Sequence, residues 1–230
     1  MINKISENIE ESISKVFDGA TIMIAGFGGV GIPDNLIELL RLYGAKDLTI
    51  VHNGGGDEDK GVGGLILDGR VKKLIASFPN SSRSWAFKNL YLENKIELEL
   101  VPQGSLVERI RAGGAGLGGI YTPTAIGTDL GLGKEIRDID GKLYIFEKSL
   151  KADFSFIKAH KGDRFGNLSY RMVMKNFNLI MATAGSTVIA EVDHIVSVGD
   201  ISPEDIHTPG IYVDKISQFQ RSMTVSQKSK

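Results

Sequence analysis

Short apolar runs alternate with segments of helical periodicity through the first half of the chain. The runs at 21–25, 48–52 and 71–77 predict buried strands, and 96–101, where apolar residues alternate with glutamates, predicts a strand with one polar face. Apolar residues recur at helical spacing in four further segments, 6–17, 35–43, 84–92 and 105–111. Strands that alternate with helices form βαβ units, so the pattern predicts an α/β fold with an open, mainly parallel sheet and helices on both faces.

The second half of the chain has a different pattern. Asp140-Gly141 stands between two alternating runs and predicts a β-hairpin. The segments 152–160 and 168–173 predict a second strand–turn–strand unit, and 187–192 predicts one more strand. We therefore expect antiparallel hairpins added to the parallel core.

The chain contains no internal repeat and no low-complexity linker. Its length of 230 residues suits one large domain. We predict a single domain over residues 1–220, followed by a flexible tail at 221–230, where apolar periodicity is absent.

Composition excludes several classes of function. The net charge of −1 provides no basic field for nucleic acid. The absence of cysteine excludes disulfides, thiolate zinc sites and a cysteine nucleophile, and the 4 histidines lack metal-ligand spacing, so no metal site is expected. The first residues lack the apolar stretch of a signal peptide, and no apolar run is long enough for a bilayer. We expect a cytoplasmic protein without membrane contact.

Glycine is enriched, at 28 of 230 residues, and one cluster matches a phosphate-binding pattern. Gly26, Gly28 and Gly31 form G-x-G-x-x-G between a predicted strand and a predicted helix, as in Rossmann dinucleotide sites. Such sites usually have an acid at the end of the second strand, and that strand here ends at His52-Asn53. An NAD(P)-dependent oxidoreductase that uses the GFGGVG loop therefore remains an alternative, as does a glycine turn without a ligand.

The glycine cluster belongs to a longer segment that resembles a known signature. DGATIMIAGFGGVGIP (18–33) is similar to the A-subunit signature of the family I coenzyme A transferases. The matching residues are Asp18, Gly19, Gly26, Phe27, Gly31 and Pro33. Ala25 departs from the signature, since the family usually has glycine there.

Four further blocks follow in the family's order. They are LVPQGSLVERIRAGGAG (100–116), YTPTAIGT (121–128), KGDRFGNLSYR with NFN (161–178) and IHTPGIYVDKI (206–216). Ala125 again replaces a usual glycine. The resemblance covers nearly the whole chain, and the segment after residue 76 resembles the 3-oxoadipate branch somewhat more than the acetoacetate branch.

The resemblance implies a function. Members of this family move CoA between an acyl-CoA, commonly succinyl-CoA, and the carboxylate of a 3-oxoacid. The glutamate that attacks the thioester belongs to the B subunit, so this chain would be the half without that glutamate and would need a B subunit. It would bind no permanent cofactor and would take the CoA thioester as a substrate.

The resemblance also implies site residues. Gln103, in the Pro-Gln-Gly block, and Asn53, after the second strand, would position substrate and donate to an oxyanion without adding charge. The substrate or CoA would lie against a first glycine loop and, more weakly, a second one, comprising Gly26, Phe27, Gly28, Gly29 and Gly31, and Gly113, Gly114 and Gly116.

Other interpretations stay open at this point. Gln103 could instead be a buried amide that satisfies loop backbone, and the fold could serve a sugar-phosphate isomerase, a ligand sensor or a non-enzymatic scaffold. Glu93 fits a solvated surface acid and Glu191 a sheet edge or an interface, while His52 fits a packed loop position. Four basic residues could steer CoA phosphates or could simply be solvated: Lys72, Lys73, Arg109 and Arg111.

Overall fold

The structure, a computed structural model, describes residues 2–219. Its helices are α1 (Ile9–Ile13), α2 (Asp34–Tyr43), α3 (Gly61–Leu67), α4 (Trp85–Leu92), α5 (Gln103–Gly114) and α6 (Asn176–Ala184). Its strands are β1 (Thr21–Ile24), β2 (Leu48–Val51), β3 (Val71–Ala76), β4 (Glu97–Leu100), β5 (Gly119–Thr122), β6 (Ile136–Ile139), β7 (Lys142–Lys148), β8 (Ala152–Asp163), β9 (Leu168–Ser169), β10 (Gly185–Val196) and β11 (Lys215–Gln218). The predicted tail at 221–230 lies outside the described residues.

The main sheet is parallel along its whole path. Its strand order is β11-β10-β8-β1-β2-β3-β4, and β9 pairs with β8 in the antiparallel sense. The chain moves from β1 towards β2 in one direction and from β8 towards β10 in the other. The carboxyl ends of β1 and β8 therefore flank a topological switch point, where ligands of open α/β sheets usually bind.

Apolar side chains from both faces of the sheet form two cores. Ile22 and Ile24 point into a core with α1 to α4, while Met23 and Ala25 point into a core with α5 and α6. Strands that are buried on both faces need a continuous apolar run, as residues 21–25 provide. The predicted parallel α/β sheet with helices on both faces is confirmed.

A smaller sheet confirms the predicted hairpin. β6 and β7 are joined through Asp140 and Gly141, both with positive φ (53° and 79°), and β5 adds to the other side of β7. The second strand–turn–strand unit, β8 and β9, is also antiparallel, but β9 is only 2 residues long. The chain then turns through residues 172–175 instead of extending to 173 as predicted.

The first helix is shorter than its periodicity predicts. α1 ends at Ile13 instead of residue 17, and Asn8 caps its start, because Asn8 Oδ1 accepts the Glu10 N–H at 3.0 Å. Phe17 lies beyond the helix and is 53% exposed. β4 also departs from expectation, since Leu100 is exposed at the sheet's edge.

Four elements carry no clear sequence signal. α3 has the sequence GVGGLIL, and glycine disfavours helices. α6 is a mainly apolar segment that periodicity does not distinguish from a strand. β5 and β11 are 4 residues each, too short for an alternation pattern to show. Within residues 2–219, none of the helices combines the length and the apolar character that crossing a membrane requires.

Candidate functional site

The predicted glycine loop forms a two-residue hairpin turn after β1. Phe27 and Val30 exchange two backbone hydrogen bonds of 3.0 Å, and Gly28 and Gly29 between them have φ of 57° and 82°. Two successive positive φ angles define a mirror-image turn that glycine adopts without strain. Among the described residues, no acceptor is bonded to the N–H groups of Gly28 and Gly29. We name residues 26–31 the glycine turn.

One side of the glycine turn borders a cleft of about 450 Å³ at the carboxyl ends of β1 and β2, which we name the first cleft. Its lining includes Gly26, Phe27, Gly28, Gly29, Asp34, His52, Asn53, Asp57, Lys60, Phe78 and Arg83. The structure therefore brings Asn53 and most of the predicted glycine loop together. Gly31 lies behind the turn, where it contacts α6 instead of the cleft.

Asn53 is held in one orientation by the neighbouring strand. Its Oδ1 accepts the Ser77 hydroxyl at 2.8 Å, and its backbone carbonyl accepts the Phe78 N–H at 2.9 Å. Because Oδ1 is occupied, Nδ2 is the atom left to donate. No acceptor among the described residues bonds to it, so Asn53 offers a fixed neutral donor to the first cleft.

Two titratable side chains that line the first cleft, His52 and Asp34, have shifted pKa values. His52 is buried and bonded through Nδ1 to the Ile24 carbonyl at 2.8 Å, and burial lowers the pKa of its imidazole. The predicted packed histidine is confirmed. Asp34 opens to solvent at the cleft mouth, yet partial burial of its carboxyl, followed by the negative charge of Glu191, raises its pKa to about 6.

A carboxylate of the protein itself occupies the amino terminus of α2. Glu191 accepts the backbone N–H groups of Asn35 at 3.0 Å and Leu36 at 3.2 Å, and its other oxygen accepts Asn35 Nδ2 at 2.8 Å. A phosphate at a helix N-terminus would need these same amides. The G-x-G-x-x-G match therefore builds no dinucleotide site, and the NAD(P) alternative finds no support. The expectation that Glu191 lies at a sheet edge is wrong, because β10 is internal and Glu191 is 2% exposed.

Behind the glycine turn lies a second cleft with a charged wall. Lys158 bonds Glu191 at 2.9 Å and Asp193 at 2.8 Å, and His160 contacts Asp193 at 3.2 Å. The two cleft linings share Ile32 and Asp34, while Val30 lines the second cleft alone. The glycine turn is thus a wall between two clefts. Within residues 2–219, His, Asp and Glu side chains form no group of three that could hold a metal ion.

Gln103 lies at the same edge of the sheet but outside the first cleft. It begins α5 after β4, it is exposed, and it does not contribute to the lining of either cleft. Because Gln103 is exposed, the alternative that it is a buried amide bonded to loop backbone is wrong. β4 lies two strands from β2, a separation of about 10 Å.

The glycines predicted as a second loop are placed elsewhere. Gly113 and Gly114 belong to the last turn of α5, and α5 returns towards the amino ends of the strands. A Cβ on Gly113 would overlap the Leu150 carbonyl, and one on Gly114 would overlap the Thr183 side chain. These two glycines therefore allow close contact with other parts of this chain. Gly116, with a φ of 75°, follows the helix end.

Most of the basic residues that could steer phosphates are engaged in ion pairs. Lys73 bonds Glu99 at 2.6 Å, and Arg109, only 9% exposed, bonds Glu99 at 2.8 Å and the Lys148 carbonyl at 2.8 Å. Arg111 pairs with Glu108 one turn earlier in α5. Glu93 is a surface acid, as predicted, and pairs with Lys95.

Sequence reasoning misses three residues of this region. The pattern does not place Asp34 in a site, suggests Glu191 at a sheet edge or an interface, and includes Asn178 only as part of the NFN block. A signal exists for Asn178, since asparagine within an apolar segment needs buried hydrogen-bond partners. Asn178 is in fact 0% exposed and bonds the Gly31 carbonyl at 3.0 Å.

Comparisons with known proteins identify the family. The family model described as coenzyme A transferase matches residues 6–218. The A subunit of 3-oxoadipate CoA-transferase from Pseudomonas putida is 50% identical over 216 residues, which is 94% of both chains. The A subunit of a probable succinyl-CoA:3-ketoacid coenzyme A transferase from Bacillus subtilis is 43% identical over 94% of this chain and 90% of its own.

A solved structure extends the similarity to three dimensions. The acyl-CoA transferase of Escherichia coli O157:H7, in a thioester complex with CoA, matches with a TM-score of 0.82 at 25% identity. The match covers 95% of this chain and 47% of that one. By its sequence over residues 6–218 and by its fold, the chain belongs to the coenzyme A transferase family, among sequences named as A subunits.

Proposed function

We propose that this chain works beside a B subunit to move CoA between succinyl-CoA and the carboxylate of a 3-oxoacid. The relatives named 3-oxoadipate CoA-transferase and succinyl-CoA:3-ketoacid coenzyme A transferase support this substrate class. No observation on residues 2–219 favours a sugar-phosphate isomerase, a ligand sensor or a scaffold.

The first cleft is the observation that carries the proposal. It places the free N–H groups of Gly28 and Gly29 and the free amide nitrogen of Asn53 at one edge of the sheet. Thioester exchange through an acyl anhydride passes through tetrahedral oxyanions, which such fixed neutral donors stabilise. The chemistry of the cleft therefore fits the stabilising half of a transferase site.

The attacking carboxylate would come from the B subunit. No glutamate among the described residues lines the first cleft. Of its two aspartates, Asp57 pairs with Arg83 at 3.3 Å, and Asp34 is the first residue of α2. A nucleophilic glutamate on the partner would complete the site without competing with these groups.

Apolar residues at the cleft border support such a partner. Phe27 and Phe78, which line the first cleft, are 46% and 63% exposed. Exposed apolar residues that cluster around a cleft are typical of interaction surfaces. A B subunit that covers this border and extends to Gln103 would enclose one shared pocket. We propose that Gln103 donates to the reacting carbonyl in that pocket.

The test is CoA transfer by the chain co-purified with a B subunit. We expect transfer from succinyl-CoA to a 3-oxoacid by the pair and none by this chain alone, with acetoacetate and 3-oxoadipate compared as acceptors. N53A and Q103A should each lower kcat by about 100- to 1,000-fold, the usual effect of removing one oxyanion donor.

The matched control is N89A, which removes an exposed amide from α4. It should leave kcat unchanged. Transfer by this chain in the absence of any partner would refute the division of labour. Unchanged kcat in Q103A would remove Gln103 from the site while leaving the cleft assignment intact.

A further inference from the structure

The glycine turn is bonded from behind by two asparagines of α6. Asn178 Nδ2 donates to the Gly31 carbonyl at 3.0 Å and to the Met174 carbonyl at 2.8 Å, while Oδ1 accepts the Lys158 N–H at 2.7 Å. A third acceptor, Asn176 Oδ1, lies 3.3 Å from Nδ2. One neighbour is thus a donor and three are acceptors, so the orientation of this amide is determined by its surroundings. Asn178 therefore joins α6, β8 and the glycine turn through one buried side chain.

A second asparagine extends the same contact. Asn176 Nδ2 donates to the Val30 carbonyl and to the Val173 carbonyl, both at 3.0 Å. Val30 is also a residue whose backbone closes the turn with Phe27. The two asparagines thus bond the carbonyls of both residues at the end of the glycine turn.

The turn backbone has little room to move relative to Asn178. A Cβ built on Gly31 would lie 2.6 Å from Asn178 Nδ2 and 3.2 Å from the Met174 carbonyl oxygen. Gly31 also has a φ of 72°, which only glycine adopts without strain. Contact this close, on a 0% exposed amide, leaves no space for water to replace the hydrogen bonds.

The opposite side of the glycine turn, at Gly28 and Gly29, lines the first cleft. The turn is short, so a shift of the Gly31 carbonyl displaces Gly28 and Gly29, whose N–H groups have no acceptor among the described residues. Catalytic donors must be held within a fraction of an ångström of the productive position, because displacement by about 1 Å costs roughly 100-fold in rate.

We propose that Asn178, assisted by Asn176, is a positioning residue that fixes the glycine turn for CoA transfer. This inference rests on the proposed function. Asn178 touches no substrate in this scheme and acts only through the turn. Its contribution is to hold two backbone donors, the N–H groups of Gly28 and Gly29, in the position from which they can stabilise the developing oxyanion.

The test compares N178L with M181A in the complex with the B subunit. N178L keeps most of the side-chain volume and removes all four hydrogen bonds of the Asn178 amide, whereas M181A opens a cavity in the same helix, away from the turn. Met181 is also 0% exposed, so both variants lose stability, and kcat is expressed per folded molecule from the near-ultraviolet signal of Trp85. We expect kcat of N178L to fall about 100-fold with little change in the KM for acyl-CoA, and kcat of M181A to stay near wild type.

Amide hydrogen exchange provides a readout that does not depend on activity. In N178L the two hydrogen-bonded amides of the turn, those of Phe27 and Val30, should exchange at least about tenfold faster than in M181A. Should N178L fail to fold, N176A removes the more exposed asparagine, which bonds the Val30 carbonyl, and should shift both quantities in the same direction, to a smaller extent. Equal kcat values in N178L and M181A, or unchanged exchange at Phe27 and Val30, would overturn the proposal. If the wild-type pair transfers no CoA, the proposed function fails, while the exchange data still decide whether Asn178 holds the turn.

Discussion

Replacing Glu191 tests how the start of α2 is held beside the glycine turn. The carboxylate bonds two backbone N–H groups, of Asn35 and Leu36, and also the ammonium of Lys158. In E191L these donors lose their acceptor within a buried region. In E191Q one carbonyl oxygen remains, but the amide nitrogen would face other donors.

The magnitude follows from the number of donors left without an acceptor. Each buried donor that loses its acceptor costs about 1–3 kcal/mol. Lys158 keeps its bond to Asp193 at 2.8 Å, and Asn35 is only partly buried, so both costs lie at the low end. We expect E191L to lower the free energy of unfolding by about 3–5 kcal/mol, as for other buried ion pairs that lose one partner, and E191Q by about 1–3 kcal/mol.

The assay is urea unfolding of the variants together with a matched surface control. E93L removes a glutamate that is paired with Lys95 on the surface, and such pairs contribute less than about 1 kcal/mol. For a chain of this size E191L should also lower Tm by about 10 °C. If the free energies of unfolding of E191L and E93L differed by less than about 1 kcal/mol, the inferred capping of α2 by Glu191 would be refuted.

Three further outcomes are expected. A125G should stabilise the protein by about 0.5–1 kcal/mol in thermal unfolding, because Ala125 has a φ of 73° that glycine adopts without strain; a loss of stability would contradict this. R109M should destabilise by about 3 kcal/mol in urea, since Arg109 is almost fully buried and bonded to Glu99; a change below about 1 kcal/mol would show that the pair contributes little. The pKa of the Asp34 carboxyl, followed by NMR, should be about 6 and should be lower in E191Q, because burial and then the charge of Glu191 raise it. Since this folded pKa lies above the ordinary 3.8, the contribution of Asp34 to stability decreases as pH rises from about 4 to 6. A titration midpoint near 4 would contradict the assignment.

The sequence determined the α/β class because its signal is local. Residues 21–25 form a short, mainly apolar run that suits a strand buried on both faces, and the helical spacing in 35–43 predicts α2 to within one residue. Turn chemistry is local as well, so Asp140-Gly141 and the glycine turn could both be located from residue types. The ordered family motifs likewise identified the chemistry, since they depend on residue identity in order along the chain.

Placement of the site residues required the tertiary structure. Asn53 and the glycine turn share a cleft because β1 and β2 are adjacent, whereas Gln103 follows β4 and lies outside it. Whether alanine fits at the two positions that depart from the family motif also depends on the backbone conformation there. Ala25 lacks a positive φ and is fully buried, so its alanine fits, while Ala125 has the left-handed conformation in which glycine is favoured.

The remaining contacts around the glycine turn are hydrogen bonds between residues far apart in the sequence. Glu191 lies 156 residues from Asn35, and Asn178 lies 147 residues from Gly31. Neither pairing leaves a periodicity in the sequence, because a carboxylate or an amide finds its partner only when the order of strands places β10 and α6 behind the turn. The sequence by itself determined which elements form and which chemistry they suit. The tertiary structure alone decided which polar groups meet, because strand order brings distant segments of the chain into hydrogen-bonding contact.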